Sequence, residues 1–248
     1  MKITNENLIR LAGLSALIAG ICYVLVGILH PANLPSSVTT TRWEIVHVLA
    51  CAMSFFGVLG LVGLYARQTL KAGWLGLVGY ILLSLWMVMI AGFSFVEAFI
   101  LPRVATALPA LGQAWMGMFN APRGGLDLGV LPTIWTLTAP VYILGGLLFG
   151  IATFRAGILP RWAGALLALS TALAPVGALL PNASQPKLAV PMGLALAWLG
   201  YALWSERPTQ PLAPSSREPA KSVSARTGPR EASPDVTTGC DAMVRRLQ

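Results

Sequence analysis

Residues 74–101 read WLGLVGYILLSLWMVMIAGFSFVEAFIL, 28 residues with a single charged side chain, Glu97. A helix at the surface of a soluble domain turns one polar face to water, and this stretch has no such face. Crossing a bilayer takes only about 20 apolar residues. The stretch therefore predicts a transmembrane helix. Glu97 falls near one end of it, where a carboxylate is costly unless it finds a partner.

The rest of the chain follows the same pattern. Its 248 residues are 56% hydrophobic and only 10% charged, against about 25% charged in ordinary soluble domains. The predicted class is all-α: a polytopic bundle of six transmembrane helices over 1–204, followed by a disordered cytoplasmic tail over 205–248. The spans are placed at about 8–30, 43–65, 74–101, 128–154, 162–180 and 188–204. The first is read as an uncleaved span, because its apolar run is too long for a signal peptide and no small-x-small cleavage site follows. Pro102 is expected to end the third span, since proline disfavours helical geometry in the residue before it. Pro132 and Pro140 are expected to break or kink the first half of the fourth. The segment from Arg103 to about Gly125 holds Trp115, Met116, Met118 and Phe119. It fits either an amphipathic stretch lying at the interface or an ordered cap over the helix ends. The tail has six prolines, many serines and few apolar residues, too little to offset the entropy of ordering.

The net charge of +8 would suit a nucleic-acid binder, but the cations stand between apolar spans and form no basic groove. Orientation accounts for them better. Lys2, Arg10, Arg67, Lys71, Arg155 and Arg161 fall on one side, joined by the basic residues of the tail. Arg42, Arg103, Arg123 and Lys187 fall on the other. The positive-inside rule then places both termini in the cytoplasm. Trp43, Trp74, Trp162 and Trp204 fall at span ends, as an aromatic belt would have them. Cys22, Cys51 and Cys240 form no CxxC pair or metal-finger spacing.

Two segments carry a resemblance: RLAGLSALIAGICYVLVGILHP (10–31) and, more clearly, LLFGIATFRAGILPRWAGALLAL (147–169). They resemble uncharacterised multi-span bacterial integral membrane proteins of the domain-of-unknown-function type. Residues 147–169 in particular resemble a recurrent helix–turn–helix with Gly-x-Leu-Pro-Arg-Trp at its cytoplasmic turn. The resemblance covers about a third of the chain. It implies location in the bacterial inner membrane and brings no activity or site with it.

Lipid offers little hydrophobic drive between helices, so small residues must let them approach. Ala12, Ala16 and Gly20 recur on span one; Gly57, Gly60 and Gly63 on span two; Gly73, Gly76 and Gly79 on span three; Gly146 and Gly150 on span four. Packing within one bundle is the preferred reading, and a homo-oligomer face is the alternative.

The candidate site is a layer of polar residues at the outer ends of spans one to four: His30, His47, Glu97 and Asp127. His47 and Glu97 each lie roughly 6 Å below a span end at about 1.5 Å per residue. Glu44, His47 and Cys51 share one helix face, as do Ser94 with Glu97 and Tyr23 with His30. Two histidines with carboxylates suit a divalent metal such as zinc or iron, and equally a proton site. Axial haem ligation by His30 and His47 fits less well at so shallow a depth. The plainer alternatives are a histidine bonded to a headgroup or loop carbonyl, and Glu97 locked to Arg103 or Arg42. The chain has no GxSxG, HExxH or P-loop motif, so enzyme activity is not favoured. The leading expectation is a pocket for a small ligand, metal or proton at the outer ends of the first four spans. The alternatives are a transporter, supported by a broken fourth span and by Pro175 and Pro191 in the fifth and sixth, and a membrane-embedded enzyme or assembly protein. The bilayer is the one expected partner, and the soluble partner of the tail, if any, is unspecified.

Overall fold

A computed structural model describes residues 4–119 and 126–206. The expected disorder of the tail, and Lys2 and Arg123 of the charge tally, fall outside those residues apart from Ser205 and Glu206. The described part is all-helical: α1 (Asn5–Leu29), α2 (Thr41–Phe95), α3 (Leu101–Ala107), α4 (Pro109–Gly117), α5 (Leu131–Ala156), α6 (Arg161–Ala172) and α7 (Ala189–Ser205). Short 3-10 segments at Pro35–Ser37, Ala174–Leu179 and Asn182–Leu188 link them. Four helical stretches are long and apolar enough to cross a membrane: Asn5–Leu29, Thr41–Ala107, Leu131–Ala156 and Asn182–Ser205.

The second of these stretches is a hairpin. At Gly73 the backbone takes φ 56° and ψ −155°, a region open essentially to glycine alone. The chain reverses there. A Cβ placed on Gly57 would stand 2.9 Å from Sδ of Met87, although the thirty intervening steps span roughly 45 Å of straight helix. The rings of Tyr65 and Tyr80 stack at 5.0 Å on either side of the turn. The two arms, 41–72 and 74–95, match the second and third expected spans.

Small residues set the order of the helices. Gly60 and Gly63 of the first arm meet Ala16 and Ala12 of α1. Gly13 and Gly20 of α1 meet the backbone of α7. Gly79 of the second arm lies against Phe149 of α5, and Gly150 of α5 against Gly164 and Ala168 of α6. With α6 also packed on α7, six helical rods close into a ring among the described residues. The glycine faces are therefore occupied within the chain. Large apolar side chains face outward, with Leu11 58%, Phe55 63% and Val88 58% exposed. Charges gather at the two ends. At one, Arg67 pairs with Glu206 at 2.8 Å and Arg10 donates to the Trp204 carbonyl. At the other, Arg103 reaches Glu44 at 3.6 Å and Arg42 donates to the Leu29 carbonyl.

Three expectations need correcting. Pro102 does not end a helix: residues 96–100 form a π-turn and α3 continues from Leu101 to Ala107. α5 runs unbroken through Pro140, and Pro132 occupies its first turn, where the missing N–H costs nothing. The fifth span is α-helical only from Arg161 to Ala172 and tightens to 3-10 around Pro175. Of the two readings of the segment holding Trp115, the cap is the one found: α4 buries Trp115, Met116 and the following Met118 against Val38, Trp43, Phe93 and Leu101.

Candidate functional site

The local sequence around Glu97 explains the site. In an α-helix the Glu97 carbonyl would accept from the N–H of Leu101, but that N–H bonds to Val96 in the π-turn. The next donor along would be residue 102, a proline, which has none. The Glu97 carbonyl is left over, and the indole N–H of Trp43 donates to it at 3.0 Å. Trp43 is fully buried, so it belongs to this site and not to a lipid-facing belt. It is aimed from the start of α2, where the Thr40 hydroxyl accepts the Trp43 backbone N–H at 3.3 Å. Single π-turns inside helices are frequent at functional sites.

The Glu97 side chain turns inward and is buried. One oxygen accepts from Nε1 of Trp115 at 3.1 Å. The other lies 3.2 Å from Nε2 of His47. His47 is itself buried, and its Nδ1 is 2.8 Å from the Trp43 carbonyl. A carbonyl only accepts, so Nδ1 must carry a hydrogen. The contact between Nε2 and the carboxyl then holds one proton, as imidazolium with carboxylate or as neutral imidazole with carboxylic acid. Either way the pair carries no net charge, which suits its burial. Glu97 thus pairs with neither Arg42 nor Arg103.

His30 caps α1 and stands beside this pair, its ring 5.1 Å from that of His47 and 5.8 Å from that of Trp43. Its Nδ1 donates to the Pro31 carbonyl at 2.6 Å. In the neutral ring this leaves Nε2 as a lone-pair acceptor. Asp127 is not part of the cluster. It is exposed on a turn and accepts from the Gly129 backbone N–H at 2.8 Å. Of the four residues singled out in sequence, His30, His47 and Glu97 come together and Asp127 does not.

His30, His47 and Glu97 line one cavity of about 290 Å³ with Asn33, Ser94 and Gln185. Its walls are apolar and aromatic, chiefly Trp86, Phe93 and Trp135. Towards the bundle interior Tyr23 stacks on Trp86 at 6.0 Å, and Trp86 packs on Tyr142 at 4.6 Å. A second cavity of about 460 Å³ adjoins it, sharing Tyr23, Asn33, Trp135 and Gln185. Among the described residues no three His, Cys, Asp or Glu side chains are disposed to hold a metal ion. Cys22 and Cys51 are free thiols.

Sequence reasoning missed Trp43 and Trp115 as partners of Glu97. A signal existed: a buried carboxylate needs donors, and an indole N–H is a donor with an otherwise apolar body. Asn33, Trp135 and Gln185 carried no signal, because only the fold brings those three segments to one mouth. Comparison with protein-family models, with curated proteins and with solved structures finds no match.

Proposed function

We propose that this chain is a six-span integral membrane protein that binds a small molecule in a pocket at the outer ends of its helices. In this reading the bilayer is that of a bacterial inner membrane and both termini are cytoplasmic. Four long apolar stretches, an outward apolar surface and charges confined to two ends support the membrane setting. The observation that carries the binding reading is the convergence of His30, His47 and Glu97 on one cavity.

Binding fits the geometry better than catalysis or metal chelation. Both nitrogens of His47 and both oxygens of Glu97 already have partners. The pair is net neutral and fixes the pocket wall, with each of its polar atoms already engaged by the protein. Among the described residues, Nε2 of His30 is the imidazole nitrogen of the cluster without a hydrogen-bond partner. The transporter alternative loses one of its supports, since α5 is continuous through Pro140, and keeps another, the interruption of the fifth span around Pro175.

The test is access to the cavity. In a chain carrying Cys22→Ala, Cys51→Ala and Cys240→Ala, Ser94→Cys places a thiol on the pocket wall. The folded protein in detergent should react with neutral methyl methanethiosulfonate faster than a variant carrying a thiol at buried Thr171. Equal, negligible reaction at both positions would mean that no pocket is open to small molecules.

A further inference from the structure

We infer that the pocket selects a small, uncharged aromatic molecule carrying one hydroxyl, whose O–H donates to Nε2 of His30. This rests on the binding-pocket reading above and names the ligand class for the same site.

Charge narrows the class first. Among the described residues, no Lys or Arg lines either cavity, so an anion would lose its hydration with no cation to receive it. A cation fares no better. The one lining carboxylate, Glu97, is part of a pair with His47 that carries no net charge, so it leaves no counter-charge for a buried cation. A neutral ligand is what remains.

Size and wall chemistry narrow it further. At about 290 Å³ the first cavity stands at the small end of ligand pockets, which run from roughly 300 to 1,000 Å³. That admits a molecule of one or two rings. Trp86, Phe93 and Trp135 offer aromatic faces and edges, and ring pairs in offset or edge-to-face geometry gain beyond simple area burial. Sugars and other polyols would leave most of their hydroxyls unpaired against these walls.

The polar end fixes the head group. His30 Nδ1 is committed to the Pro31 carbonyl, so neutral His30 presents an acceptor. A ligand without a donor would desolvate Nε2 and give nothing back. Sites built around such a group discriminate strongly against analogues that lack the matching hydrogen.

The experiment uses full-length protein in dodecyl maltoside, with quenching of tryptophan fluorescence as the readout. The probes are 2-naphthol, its methyl ether 2-methoxynaphthalene, 2-naphthoate and 2-naphthylmethylammonium. Saturable quenching by 2-naphthol is expected, with binding of the methyl ether weaker by about tenfold or more. His30→Phe, which keeps a ring but removes the acceptor, should erase the difference between alcohol and ether. Because the alcohol–ether comparison is made on the unaltered chain, it stands even where the variant misfolds. Equal binding of alcohol and ether would overturn the His30 hydroxyl contact. Tighter binding of naphthoate or the ammonium would overturn the neutral class. In both cases a Ser94→Cys thiol that still reacts would keep the pocket reading intact. Absence of saturable binding by all four probes, with an unreactive Ser94→Cys, would remove the proposal and the pocket together.

Discussion

Replacing Glu97 by Gln and by Leu separates the hydrogen-bond account of this site from one based on charge alone. In Glu97→Gln, the side-chain oxygen can keep the Trp115 bond, and the new NH₂ can donate to Nε2 of neutral His47. Every polar group retains a partner, so the expected loss is below about 1 kcal/mol. In Glu97→Leu the Trp115 N–H and the His47 Nε2 both lose their partner. Each orphaned buried group costs about 1–3 kcal/mol, so the two together cost about 2–6 kcal/mol. For a domain of this size 1 kcal/mol moves the melting temperature by about 2–4 °C, which puts the expected drop near 12 °C. Adding His47→Phe to Glu97→Leu should recover part of that loss by removing one orphan. The assay is thermal unfolding in detergent, followed by near-ultraviolet circular dichroism, which reports on the buried tryptophans. If Gln is as damaging as Leu, the carboxylate charge and not the hydrogen-bond set holds the site. If Leu is harmless, the Glu97–His47–Trp115 cluster does not form.

Other consequences reach across the fold. Gly73→Ala meets no atom within 4 Å, yet the positive φ should still cost about 1–3 kcal/mol, visible as a lower melting temperature with no change in oligomeric state. Gly20→Val drives a side chain into the α7 backbone and should abolish monodisperse behaviour on size exclusion. Gly92→Ala, on a helix with open space around it, should be neutral or slightly stabilising by up to about 1 kcal/mol. Thr153→Val removes the acceptor of the buried Gln68 amide, now bonded at 2.9 Å. It should cost about 1–3 kcal/mol alone and much less when combined with Gln68→Leu, as a double-mutant melting series would show.

The long apolar helices and the course of the chain were legible because an apolar run of sufficient length stands out in any sequence. The turn at Gly73 was foreshadowed by Arg67 and Lys71, which interrupt the apolar run before it. The site was legible in part. His47 and Glu97 were matched in depth by counting residues from the span ends, but depth says nothing of direction. Asp127 shares the depth and points elsewhere. Pro102 was misread because the usual effect of a proline was applied without its local alternative. A π-turn absorbs the proline, frees one carbonyl and so creates a place for Trp43. That exchange depends on a residue 54 positions away bonding across the hairpin, and no local pattern encodes it. Trp115 was hidden for a related reason. A segment of Trp, Met and Phe reads the same whether it faces lipid or covers a pocket.

The most direct test of a bilayer-embedded bundle with its pocket facing outward is thiol labelling in intact cells, again without native cysteines. Asn33→Cys sits at the pocket mouth and Arg161→Cys at the opposite end of the bundle. A membrane-impermeant maleimide should label Asn33→Cys in intact cells and Arg161→Cys only after the membrane is opened. Labelling of Arg161→Cys from outside, or of both positions equally before permeabilisation, would contradict the account.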